Sequence, residues 1–169
     1  KKLIIDKNKL TIFISQSGET ADSLAALRYV KSKKMNVLSI VNVEESSMSR
    51  ESDSFITIAA GPEIGVASTK ALTAQLSVLA CLTIIISREK KLLDLKLEKE
   101  LTTSLIELPS KITEILNDDS DIKNIAEKIV NSKSAIFLGR GSCFPIAMEG
   151  ALKLKDCLLY TSDAADEWC

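Results

Sequence analysis

The stretch Ile12-Phe13-Ile14-Ser15-Gln16-Ser17-Gly18-Glu19-Thr20 constrains the fold more than any other part of this 169-residue chain. An apolar, β-branched run stops at a cluster of hydroxyls around one glycine, and residues at helical spacing follow. That order predicts a buried strand turning sharply into a helix N-terminus, where unpaired N–H groups and the dipole favour an anion. Ser15, Ser17 and Thr20 can add hydroxyl donors, and Gln16 an amide. The turn holds no lysine or arginine, so a phosphate there would be held by neutral donors. Taken alone, the same residues also fit a plainly capped helix start.

The surrounding pattern predicts an α/β fold. Leu10 to Ser15 and Asn36 to Asn42 read as short buried strands. Between them, Thr20 to Lys34 sets Ala21, Leu24, Leu27 and Val30 at helical spacing. Strand, helix, strand predicts a parallel pair joined by a right-handed crossover. Phe55 to Ala59 is a third strand, closed by Gly61-Pro62, and Ile64 to Ser87 a long, largely buried helix. Leu92 to Asn117 is helical on either side of Pro109, which should break or kink it. Asp118-Asp119-Ser120-Asp121 starts a helix through Val130, and Ala135 to Leu138 is a further strand. Gly139-Arg140-Gly141-Ser142 is a second glycine turn, and Pro145 opens the last helix. This partial echo of the Ser15 turn predicts a second copy of the fold, beginning near Ser120.

Charge and composition narrow the function. Twenty-two basic against twenty-three acidic residues leave a net charge of -1, which gives no electrostatic footprint for nucleic acid. Aromatic residues make up 4%, too few for a base-stacking surface. Cys81, Cys143, Cys157 and Cys169 lack CxxC spacing and histidine partners, so they read as buried free thiols in a reducing cytoplasm, not as a zinc site or disulfides. The apolar stretch Leu76 to Ile86 reads as too short to span a membrane, and no signal-peptide pattern opens the chain. Histidine is absent, so acid–base work falls to carboxylates, lysines or parts outside this sequence. Lys1 to Asp6 runs at once into a buried-type strand, as expected of a domain cut at its N-terminus. Residues 157–169 abandon the helical pattern before them and read as a non-native tail, with a genuine C-terminal helix as the alternative.

Two further constellations could carry chemistry. In Glu63-Ile64-Gly65-Val66-Ala67-Ser68-Thr69-Lys70, small side chains would let a ligand approach the backbone, and Ser68 and Thr69 add hydroxyls near a helix start. A plain helix N-terminus fits equally, and Lys70 reads as a surface lysine. Glu149, Lys153 and Asp156 are spaced i, i+4, i+7 on one helical face. That row is either a solvated ion-pair ladder or a carboxylate and an ammonium set to move a proton beside an enediolate. Arg140 reads as a domain-interface contact, with an exposed turn arginine or an anion ligand as the alternatives.

Together, Ser15 through Asp22, Arg50-Glu51-Ser52-Asp53, Glu63 through Ala71, Leu138-Gly139-Arg140-Gly141 and Glu149 through Lys155 resemble the glutamine–fructose-6-phosphate aminotransferase (isomerising) family, in the right order from about Lys9 to Lys155. The resemblance implies tandem sugar-isomerase (SIS) domains, each a flavodoxin-like αβα sandwich with a parallel sheet. Residues 1–117 would be a first, N-terminally truncated SIS domain with connecting helices, and 118–156 the truncated start of a second. It implies that Ser15, Gln16, Ser17 and Thr20 bind the sugar phosphate and that Val66 and Ser68 line the sugar. Glu149 and Lys153 would sit at the isomerase centre, with Asp156 where the family places a proton-shuttling glutamate. A glutaminase domain in cis, a homodimer and a cytoplasmic setting are implied, and no metal or organic cofactor. The family's ring-opening histidine and imine-forming C-terminal lysine have no counterpart here, so the chain as written is expected to be inactive. A stand-alone SIS isomerase or deglycase, and a non-catalytic sugar-phosphate sensor, are the alternatives.

Overall fold

Three strands, β1 (Leu10–Ser15), β2 (Asn36–Val41) and β3 (Ser54–Thr57), form one parallel sheet in the order β1-β2-β3. Register follows the β-branched runs, with Ile14 beside Ile40 and Ile40 beside Ile56. This computed structural model describes residues 8–63, 68 and 70–158, without the side chains of 156–158. The chain divides into two compact units, residues 1–101 and 102–169.

In the first unit, helices lie on both faces of the sheet. Between β1 and β2, α1 (Ala21–Ser32) buries Leu24, Leu27 and Val30 at the predicted spacing. They pack with Met35, Val37, Val41 and Met48, and with Phe13 at the margin. Burying side chains of this size stabilises by about 1.5–3 kcal/mol each. Met48 comes from the short α2 (Ser47–Glu51), which follows β2. On the opposite face, α3 (Lys70–Glu89) packs Ala71, Ala74, Val78 and Leu79 around Ile40, Ile56 and Ile58.

Several expectations need correction here. β1 is half exposed, not buried, because it is an edge strand whose Leu10, Ile12 and Ile14 lie where α3 does not reach. Only Ala71 of α3 is fully buried, since the helix has a three-stranded sheet on one side. The run Leu76 to Ile86 is part of this 20-residue helix, which by length and composition could cross a membrane; the length argument therefore fails. The sheet covers Ala71, Ala74, Val78 and Leu79, whereas Leu76, Ile85 and Ile86 stay exposed. Cys81 and Cys143 are exposed thiols, not buried ones.

The second unit holds most of α4 (Leu95–Asn117), then α5 (Ser120–Ile129) and α6 (Cys143–Leu158). Pro109 does not break α4. The proline leaves the Leu105 carbonyl without its helical donor, which an exposed helix can compensate with water. Ala135 to Leu138 forms no strand. A strand needs a hydrogen-bonded neighbour, and none lies beside it among the described residues.

The end of α2 and the residues just after it strap the first unit together. Arg28 forks onto Glu51 at 2.8 and 2.6 Å. Lys31 pairs with Asp53, whose other oxygen accepts the Val37 N–H at 2.8 Å. Hydrogen bonding to Arg28 holds Glu51 below the ordinary carboxylate range, and Lys31 followed by the Val37 N–H does the same for Asp53. Both groups are charged in the folded state at pH values where the unfolded chain would begin to protonate. Their stabilisation is therefore complete above about pH 4 to 5 and is lost as pH falls through the depressed folded values. The double variant Glu51→Gln/Asp53→Asn should lower the urea midpoint at pH 7, with the gap to the parent narrowing progressively once pH falls below about 4. A gap of the same size at pH 7 and at the acid end would remove the ion pairs from the account.

Candidate functional site

The Ser15–Thr20 turn is built largely from its own backbone and the segment after β2. Gly18 donates its N–H to Ser15 Oγ at 3.0 Å, and Glu19 donates its N–H to Ser17 Oγ at 3.2 Å. Both hydroxyl oxygens thus act as acceptors inside the turn, which leaves their protons available to an incoming oxygen. Thr20 is the N-cap of α1, yet its hydroxyl takes no helix N–H. Ser15, Gln16 and Ser17 are half-buried and Thr20 is exposed, so the sequence-predicted group is gathered in one place at the α1 N-terminus.

A left-handed backbone at Gly18, φ 67°, makes the turn possible. A Cβ there would stand 2.2 Å from Ser46 Oγ and 2.5 Å from Ser46 Cβ. Ser46 is buried and caps α2, accepting the Ser49 N–H at 3.4 Å. Met48 donates its N–H to the Gly18 carbonyl at 3.1 Å, and Asn42 donates its own to the Gln16 carbonyl at 3.1 Å. The Glu19 carboxylate accepts the Ser47 N–H at 2.6 Å, a bond that holds it below its ordinary pKa. Sequence reasoning missed these supports and the strap at Arg50 to Asp53. A polar residue at the end of an apolar strand, as at Asn42, is the signal that could have found one of them.

Of the second constellation, Ser68 is half-buried, with its hydroxyl 3.4 Å from Glu63 Oε2. The same oxygen accepts the Ala71 N–H at 3.2 Å, near the start of α3. Lys70 is exposed, as read from the sequence, and Val66 lies outside the described residues.

The third constellation belongs to the second unit. Lys153 Nζ stands 3.0 Å from Glu149 Oε1, with side-chain exposures of 29% and 33%. The other i,i+4 pairs, Lys111–Glu107 and Lys123–Asp119, are between 54% and 69% exposed, so the pair on α6 is less solvated than an ordinary ladder. Asp156 lies on α6, but its side chain is outside the described residues, and the tail beyond Leu158 lies outside them as well. Before α6, Gly139 permits a tight turn in which a Cβ would meet the Cys143 carbonyl oxygen at 2.2 Å. Arg140 is exposed. Among the described residues, no three Cys, Asp or Glu side chains converge as a metal site would require.

The SIS domain family matches residues 2–85. Glutamine–fructose-6-phosphate aminotransferase (isomerizing) of Gluconobacter oxydans strain 621H is 50% identical over 147 residues, which are 87% of this chain and 24% of that protein. Its counterpart from Bartonella henselae is 46% identical over 152 residues, 90% of this chain and 25% of that one. The solved C-terminal domain of glucosamine-fructose-6-phosphate aminotransferase from Francisella tularensis superposes with a TM-score of 0.84 at 43% identity, covering 92% of this chain and 44% of its own. The chain thus spans about a quarter of the length of the curated relatives it matches.

Gly18→Ala should destabilise the chain by about 1–3 kcal/mol, from the left-handed φ and the collision with Ser46. Urea denaturation measures this, and an unchanged midpoint would mean that the turn can rebuild itself without left-handed backbone.

Proposed function

Because residues 2–85 belong to the SIS-domain family, we propose that the chain is a piece of the isomerase half of a glutamine–fructose-6-phosphate aminotransferase and binds fructose 6-phosphate through the Ser15–Thr20 turn. In this reading, residues 1–117 are the first SIS domain with its connecting helices, and 118–156 begin a second. The parent enzyme takes ammonia from glutamine through a glutaminase domain in cis and forms glucosamine 6-phosphate, working as a homodimer in the cytoplasm.

One observation carries the binding role. Ser15 and Ser17 each accept a backbone N–H through the hydroxyl oxygen, so both protons are left to donate at a helix N-terminus. Gln16 and Thr20 complete a cradle of neutral donors for the phosphate. Val66 and Ser68 line the sugar. Glu149, Lys153 and Asp156 form the isomerase centre, a carboxylate exchanging the proton between sugar carbons and an ammonium balancing the enediolate charge. The close Glu149–Lys153 pair favours an enzyme over a sensor, which needs no such pair. Ring opening, which the family assigns to a histidine, has no candidate in a sequence without histidine. This polypeptide therefore binds its sugar phosphate without turning it over.

Calorimetric titration with fructose 6-phosphate tests the reading. The chain should bind the ester and ignore fructose, and Ser17→Ala or Thr20→Ala should each weaken binding about tenfold, roughly 1.4 kcal/mol for one charge-assisted hydrogen bond. No binding by the parent chain, or binding by both variants as tight as the parent's, would remove the turn from this role.

A further inference from the structure

Resting on that reading of the turn, we propose that Asn42 is a positioning residue that fastens the phosphate turn to the loop leading toward Glu63 and Ser68, and so sets how the sugar end of a phosphate ester meets the protein. Asn42 follows β2 directly, at the C-terminal end of a parallel sheet, where open α/β folds collect their ligands. It makes three hydrogen bonds to two different segments. Its backbone N–H donates to the Gln16 carbonyl at 3.1 Å, inside the turn. Its side chain spans the other segment, with Oδ1 accepting the Ala60 N–H at 3.0 Å and Nδ2 donating to the Gly61 carbonyl at 2.7 Å. Only a primary amide of this length offers a donor and an acceptor to two adjacent backbone groups at once.

The loop so held has reason to move if released. Ala59 takes a φ of 52° and Gly61 one of 69°. The first is unfavourable for a residue carrying a Cβ and persists only where the surroundings enforce it. The Asn42 amide grips the two residues after Ala59. β3 ends at Thr57, and one further bond, from the Ile58 N–H to the Val41 carbonyl at 2.9 Å, ties the chain back to β2. Beyond it lies Glu63, whose carboxylate is 3.4 Å from the Ser68 hydroxyl. Asn42 thus joins two segments, the anion turn through its backbone and the Ala60–Gly61 loop through its side chain.

The roles separate by experiment, because a side-chain substitution keeps the Asn42 backbone bond to Gln16. Asn42→Ala and Asn42→Asp are titrated with fructose 6-phosphate and, separately, with inorganic phosphate. The aspartate keeps the acceptor for Ala60 and loses the donor to Gly61. Both variants should bind fructose 6-phosphate about tenfold more weakly than the parent while holding inorganic phosphate within about twofold. Parallel losses for the two ligands would signal a merely structural role and overturn the proposal, as would unchanged affinity for both. If Asn42→Ala does not fold, Asn42→Asp decides alone. A parent chain that binds neither ligand sinks the binding reading itself, whereas a parent that binds with variants that fail the split sinks only the role of Asn42.

Discussion

Left-handed backbone at Gly18, pressed against Ser46, is the constraint from which the first unit is organised. The α1 crossover lays β2 beside β1, and the end of β2 then runs beneath the turn. The turn in turn receives the Met48 and Asn42 N–H groups. A side chain at position 18 would collide with Ser46, the N-cap of the helix that delivers the Met48 N–H. The apolar cluster of Leu27, Val37, Val41 and Met48 supplies the bulk of the free energy that holds this arrangement. Against it stands the buried Ser39 hydroxyl, which finds no partner among the described residues and costs about 1–3 kcal/mol. The surface ion pairs of Arg28 and Lys31 add little stability singly, but they fix where α2 sits.

Much of this could be read from the sequence because periodicity reports which side of an element is apolar. The limits of β1, the face of α1 and the gathering of Ser15, Gln16, Ser17 and Thr20 all follow from that pattern. Periodicity does not report what covers an apolar face. For that reason the pattern overstates the burial of β1 and α3, and it marks Ala135 to Leu138 as a strand although no neighbour pairs with it among the described residues. In the sequence, Arg50 to Asp53 stands only as one of the segments that carry the family resemblance. In three dimensions Glu51 and Asp53 tie α2 and the start of β2 to α1, a role that depends on residues more than twenty positions away. The role of Asn42 is likewise invisible to periodicity, since its partners come from two separate loops.

Likeness to known proteins extends further than the domain match. The SIS profile ends at residue 85, whereas identity to the aminotransferases continues over 147 residues or more. The matched lengths of 147 to 156 residues therefore run beyond the SIS profile into the helices that follow it. The Ser15–Thr20 turn and the Glu149–Lys153 pair fall in different units of the chain.

The neutrality of the cradle has a consequence for how it responds to acidity. Serine, threonine and glutamine do not titrate in the accessible range, and Glu19 is held in its charged form by the Ser47 N–H. With no histidine anywhere in the sequence, no ordinary protein group changes charge at this turn between about pH 5 and pH 8. A phosphate ester loses its second proton near pH 6. If the turn binds a phosphate ester as proposed, any slope of affinity against pH across that interval is a property of the ligand, and it reads directly how much the turn prefers a dianion to a monoanion.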